Sequence, residues 1–239
     1  MVTAMHDTFG QALLDALDGR PGTHTIERDD GYRDDMDAAE YLTGREAWPQ
    51  ALGDALDELY GRVLDVGCGA GRHALHLQQR GCDVVGMEPS PGAVEACRRR
   101  GIRAVTGALG DADLFRNETF DAVVMLGNNL ALLESPEAAP RHLQWLADRC
   151  RRPAVLIGEG LDATRTDDPG HLAYHARAIV EGRRPGQLRL RIHYQGAAGE
   201  WFPYWMMSPD ELREVAAATP WEVEQTTGDA FYVATLRLP

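Results

Sequence analysis

Between residues 62 and 160, short apolar runs alternate with amphipathic stretches, and no other feature of the chain constrains its fold as tightly. "RVLDVG" reads as a buried strand, and "GRHALHLQQRG" as a helix opened by a glycine turn and closed by Gly81. "DVVGME", "SPGAVEACRRRG" and "IRAVTG" continue as strand, helix and strand. "FDAVVML" supplies a fourth strand, and helical "APRHLQWLADRC" leads to a fifth, "AVLIGEG". Strands alternating with helices at this spacing form right-handed βαβ units, hence a mainly parallel sheet with helices on both faces. The runs are apolar almost throughout, as strands covered on both sides must be.

The flanking regions follow other patterns. Residues 8–18 and 46–60 have helical apolar spacing, and the acidic segment "ERDDGYRDDMD" between them reads as a solvated stretch or a lid. After Gly160 a polar segment precedes "QLRLRIHYQ" and "EWFPYWMM", two strands joined by a glycine-containing turn. "SPDELREVAAAT" places Glu211 three residues after Ser208, the capping-box pattern of a helix start. "WEVEQTT" and "FYVATLRL" read as a closing antiparallel hairpin. The expected fold class is α/β, a doubly wound Rossmann-like sheet of about seven strands ending in that hairpin. An N-terminal helical cap or lid (1–60) precedes the core (61–160). A lid and β-hairpin insertion (161–207) and the last helix and closing strands (208–239) follow it.

Composition excludes several functions. All 24 basic residues are arginine, so no ε-amine is available for Schiff-base or pyridoxal-phosphate chemistry. A net charge of −13 argues against nucleic acid, whose phosphates need a basic face. No run approaches the ~18 apolar residues of a membrane span, and the first twenty residues lack the basic and apolar regions of a secretory leader. Cys68, Cys82, Cys97 and Cys150 form no CxxC pair and suit a reducing compartment. A soluble cytoplasmic protein with no membrane partner is expected.

The turn "VLDVGCGAGR" carries the chemistry. A dinucleotide site takes G-x-G-x-x-G, with pyrophosphate on the helix N-terminus. Here Gly67, Gly69 and Gly71 are spaced G-x-G-x-G, bulky Arg72 follows, and Asp65 stands just before them. A carboxylate there is poor company for pyrophosphate but serves an amine or a water.

This combination resembles motif I of the class I S-adenosylmethionine-dependent methyltransferases. The resemblance is strong over residues 60–160. It implies that Gly67, Cys68, Gly69, Gly71 and Arg72 lie along the cofactor, S-adenosyl-L-methionine, and that Asp65 organises its amino group. Glu88, 23 residues after Asp65, matches the family's acid on the ribose hydroxyls, and Pro89 follows it. Where many members have "GDA" after the third strand, this chain has "GAL", so backbone groups of Ala108 and Leu109 are expected to hold the adenine. Leu126 and Asn128, after the fourth strand, complete the cofactor set, with Tyr32 or Tyr41 as a tyrosine over it.

A methyl donor is read more easily than its acceptor, because transfer needs mainly an in-line nucleophile and exclusion of water. Asn129 and the helical pair His171 and His175 are the candidates for contact with the acceptor or for removing its proton, and no metal is expected. Alternation in "WFPYWMM" sends one set of side chains into the core and another to a facing surface. The expected function is methyl transfer to a small-molecule acceptor, with a homodimer as an additional partner. Non-methylating chemistry on the same cofactor and a catalytically silent binding module are the alternatives.

Overall fold

The computed structural model describes residues 7–239. The first six residues, on which the leader reading partly rests, lie outside the described residues. The chain runs α1 (Thr8–Leu17), β1 (Thr23–Arg28), β2 (Arg33–Asp37), α2 (Gln50–Asp57), β3 (Arg62–Val66), α3 (Arg72–Gln79), β4 (Asp83–Glu88), α4 (Pro91–Arg99) and β5 (Arg103–Thr106). It continues β6 (Phe120–Met125), α5 (Ala139–Ala147), β7 (Cys150–Leu161), α6 (Pro169–Val180), β8 (Gln187–Tyr194), β9 (Ala197–Ala198), β10 (Phe202–Trp205), α7 (Pro209–Ala216), β11 (Glu222–Gly228) and β12 (Phe231–Leu238). None of the described helices is long and apolar enough to cross a membrane.

The main sheet has seven strands in the order β11-β12-β7-β6-β3-β4-β5. β3 to β7 are parallel, and the closing hairpin adds β12 antiparallel to β7, as expected. Alternation along each strand feeds two cores. Leu64, Val66, Val123 and Met125 join the layer under α5 and α7, while Val63, Ala122 and Val124 join the layer under α2 and α3. The strand order reverses at β3, whose neighbours are β4 on one side and β6 on the other. That is the switch point where doubly wound sheets bind ligands, and the glycine turn leaves β3 there.

The acidic segment differs from its expectation. It forms the antiparallel β1–β2 hairpin, which pairs through β1 with β8 and so joins β10 in a second sheet. The acids are held by arginines both distant and local: Glu27 accepts from Arg191 Nε at 2.6 Å, and Arg28 pairs with Asp30 two residues on. The N-terminal cap is therefore helix plus hairpin, and it shares its sheet with the 161–207 insertion. Asp7 caps α1 through Gly10 N–H and also accepts from Ser90 Oγ and Gly92 N–H, seating α1 on the start of α4. In α7, both bonds of the Ser208–Glu211 capping box form.

Candidate functional site

The glycine turn is pinned from three sides. Gly67 N–H donates to Met87 O at 2.8 Å, tying the turn to the end of β4. Asn129 Nδ2 donates to Val66 O at 3.0 Å and to Gly67 O at 2.8 Å. Glu88 accepts from Gly69 N–H at 3.1 Å and from Ser90 N–H at 3.2 Å. Gly69 and Gly71 both have left-handed backbone, with φ of +52° and +75°. Their surroundings differ. A Cβ on Gly71 would meet Ile102 Cδ1 at 2.5 Å and Cys97 Sγ at 3.0 Å, so this glycine lets the start of α3 pack against α4 and the loop into β5. A Cβ on Gly69 would meet only Tyr41 and Phe9, at 3.7 and 3.9 Å, so this glycine faces a roof of two rings.

Two carboxyls sit buried beneath the roof. Asp65 is 1% exposed and Glu88 6%. Burial pushes Asp65 up to about 7, with the Glu88 charge adding to it, and burial likewise pushes Glu88 up to about 7. Asp65 Oδ2 and Asn128 Oδ1 are buried and have no hydrogen-bond partner. Such orphaned acceptors are costly unless something donates to them. Arg72 donates to Glu40 O at 3.0 Å, and its guanidinium stands 6.0 Å from the Tyr41 ring centre. Its cation forms no carboxylate pair among the described residues. Orphan acceptors beside an uncommitted cation suit a zwitterionic amino acid group.

Several sequence candidates take positions other than those expected. Tyr32 is 44% exposed at the hairpin tip, against His171 and Arg28, and Tyr41 is the tyrosine beside the glycine turn. Asn129 spends its amide N–H groups on the turn carbonyls and so helps position the turn. The Cys68 side chain points inward, 3.8 Å from Cys97 Sγ, leaving only its backbone to face a ligand. Hydrogen bonding with Cys97 and burial raise its thiol, which disfavours the nucleophilic thiolate. Pro89 and Ala108 are exposed at the strand ends, Leu109 is half-buried, and Leu126 is buried under the α2–α3 layer.

The second sheet covers this end of the main sheet. Tyr204 donates from its hydroxyl to Asn128 O at 2.8 Å, locking β10 onto the segment after β6. Alternation in "WFPYWMM" divides as expected: Trp205 and Met207 enter the main core, while Phe202, Tyr204 and Met206 pack with Ile26, Leu190 and Tyr174. His171 and His175 lie on α6 at the far end of that apolar group. His171 Nδ1 accepts from Arg28 Nη1 at 3.0 Å, and burial lowers His175. Tyr194 is turned toward α1, where its hydroxyl donates to Asp15 at 2.7 Å. His193 is paired with Glu27 at 2.5 Å, so neither residue faces this space. Phe9 and His24 belong to the roof and carried no signal in the sequence. Phe9 meets the turn because α1 docks on α4, and His24, on β1, packs against Phe9 and Tyr41.

Residues 63–151 match the family model described as a methyltransferase domain. Among solved structures, a S-adenosylmethionine-dependent methyltransferase from Bacteroides fragilis, in complex with S-adenosyl-L-homocysteine, superposes with a TM-score of 0.83. It is 23% identical, and the match covers 100% of this chain and 97% of that one. CalS10, an amino pentose methyltransferase from Micromonospora echinaspora, has a TM-score of 0.59 at 20% identity, over 84% and 95% of the two chains. The CcbJ methyltransferase from Streptomyces caelestis has a TM-score of 0.58 at 17% identity, over 81% and 94%.

Proposed function

We propose that the methyltransferase domain at residues 63–151 binds S-adenosyl-L-methionine and that the chain transfers its methyl group to a small-molecule acceptor. The observation that carries the reading is the pair of buried carboxyls flanking the turn, one of them with the unpartnered Asp65 Oδ2, beside a middle glycine that meets only the Tyr41 and Phe9 rings. When bound, the cofactor supplies a methyl group already activated on a sulfonium. The protein's residues bind, orient and exclude water. Glu88 takes the ribose hydroxyls. Asp65 and Asn128 Oδ1 receive the amino group, and Arg72 pairs with the carboxylate. Backbone groups of Ala108 and Leu109 would hold the adenine beside Pro89. Tyr41 and Phe9 close over Gly69 and keep water from the reacting centre.

Residues 61–160 and 208–239 are the cofactor-binding core in this reading. The α1–α2 segment and residues 161–207 together cover the acceptor. The apolar wall of Ile26, Phe202, Tyr204 and Met206 fits a small acceptor with a hydrocarbon body. The CalS10 neighbour acts on an amino pentose, which places sugars among the acceptors worth testing. Incubation with S-adenosyl-L-methionine and a panel of amino sugars, phenols and aliphatic alcohols should release S-adenosyl-L-homocysteine with at least one member. Binding without release across the panel would favour a silent binding module.

Binding should depend on pH through Glu88. Its carboxyl sits near 7 in the free protein, and only the ionised form accepts both ribose hydroxyls. Affinity for S-adenosyl-L-homocysteine is expected to fall about tenfold per pH unit below 7 and to level off above it. The free protein shows the opposite trend in stability. Asp65 and Glu88 hold their protons more tightly folded than unfolded, so their contribution declines as pH rises from about 4 to 7. The melting-temperature gain on ligand binding should therefore be larger at pH 8 than at pH 6. An equal gain at both would show that neither carboxyl is neutral in the free site.

A further inference from the structure

We propose that His24 is the base that takes the acceptor's proton, which makes the acceptor atom an oxygen or a nitrogen that carries hydrogen at neutral pH. The proposal rests on the methyl-transfer reading above and assigns a residue that reading does not use. His24 lies on β1, 1% exposed, with its ring edge-to-face against Phe9 (centroids 5.9 Å) and tilted over Tyr41 (6.1 Å). Those two rings are the ones that face Gly69. His24 Nδ1 stands 3.3 Å from Gly22 O, and a carbonyl can only accept, so Nδ1 carries the hydrogen. The lone pair is then on Nε2, which is buried and has no partner. A ring held in one tautomer by a backbone carbonyl, with its other nitrogen aimed away from that carbonyl, is arranged to receive a proton.

The charge state agrees with this geometry. Burial lowers the His24 ring, and the Gly22 hydrogen bond and the nearby acids Asp37, Asp35 and Glu40 oppose that shift without reversing it. The aromatic neighbours are Phe9 on α1 and Tyr41 on the turn after β2. His24 is therefore neutral at pH 7 and able to accept. His171 lacks this freedom, because its Nδ1 is engaged by Arg28. His175 sits on α6, away from the rings that roof Gly69.

In the step itself, a proton leaves the acceptor's O–H or N–H for His24 Nε2. The pair freed on the acceptor forms the bond to the methyl carbon. The carbon–sulfur bonding pair stays on sulfur, giving methylated acceptor, S-adenosyl-L-homocysteine and a protonated ring that returns its proton to solvent.

The distances this requires can be measured without knowing the acceptor. A nucleophile stands ~3–3.5 Å from the methyl carbon, and a base ~2.6–3.2 Å from the nucleophile. A crystal structure with sinefungin, whose amine occupies the place of the transferred methyl, should thus show His24 Nε2 roughly 5–7 Å from that amine. Open space for one acceptor group should lie between them, with the Gly22 bond intact. A separation beyond about 9 Å, a side chain between the two, or Nε2 bonded to a protein donor would overturn the proposal. His24→Gln should bind S-adenosyl-L-homocysteine within threefold of the parent, and a tenfold loss would make His24 a cofactor ligand instead. If the parent binds neither compound, it is the methyl-transfer reading that fails.

Discussion

Gly69→Val is expected to remove S-adenosyl-L-methionine binding while the protein stays folded. At φ +52° a β-branched residue is strained by ~1–2 kcal/mol, which a domain of this size tolerates. The added Cβ meets only Tyr41 and Phe9, at ordinary contact distance, so the free protein accommodates it. Its two methyl groups take the space over the turn that the proposed ligand needs. A loss of at least ~100-fold in affinity, about 2.7 kcal/mol, is expected. Gly19→Val is the control. It has a similar backbone angle, +74°, and nothing within 4 Å of its Cβ, so it should bind as the parent does. Gly71→Val is the contrasting case, since its Cβ runs into Ile102, and it should lower the melting temperature sharply. Parent-like binding by a folded Gly69→Val protein would mean that no ligand passes over this turn.

Glu88→Ala should weaken S-adenosyl-L-homocysteine by ~100- to 10,000-fold in calorimetry at pH 8. Two hydroxyl bonds to a charged acceptor are lost, each worth roughly 1.5–3 kcal/mol. The Gly69 and Ser90 N–H groups also lose their acceptor, so the turn itself loosens. In the free protein the change is close to balanced. Burial has raised this carboxyl to about 7, so removing it relieves the cost of holding it ionised while leaving two N–H groups without an acceptor. The melting temperature without ligand should therefore shift by a few degrees at most. Loss of affinity with little loss of stability is the signature of a ligand-binding acid. An unchanged affinity would reassign Glu88 to holding the turn.

The parts of this molecule legible in its sequence are those set by local rules. Apolar runs from β3 to β7, the glycine turn, the Ser208–Glu211 capping box and the closing hairpin each follow from neighbours a few residues apart. The β1–β2 hairpin was hidden because its acids resemble a solvated tract until Arg191 and His193, more than 160 residues away, pair with Glu27. Asn129 stood out in the sequence, but not for the bonds it makes. Its amide reaches back to Val66 and Gly67, a bond across 63 and 62 residues that no periodicity announces. Tyr41 and Tyr32 are alike in sequence, and only the docking of the cap decides which one meets Gly69. His24 is an ordinary strand residue in "THTIER" until its unpartnered nitrogen is seen beneath the second sheet.

The central claim is that the turn from Gly67 to Gly71, with Asp65 and Glu88, holds S-adenosyl-L-methionine rather than a dinucleotide. Calorimetry of the purified protein at pH 8 with S-adenosyl-L-methionine, S-adenosyl-L-homocysteine and NAD tests it directly. Micromolar binding of both sulfur compounds at one site per chain, with no heat from NAD, is the predicted result. Binding of NAD, or failure of both sulfur compounds to bind, would contradict it.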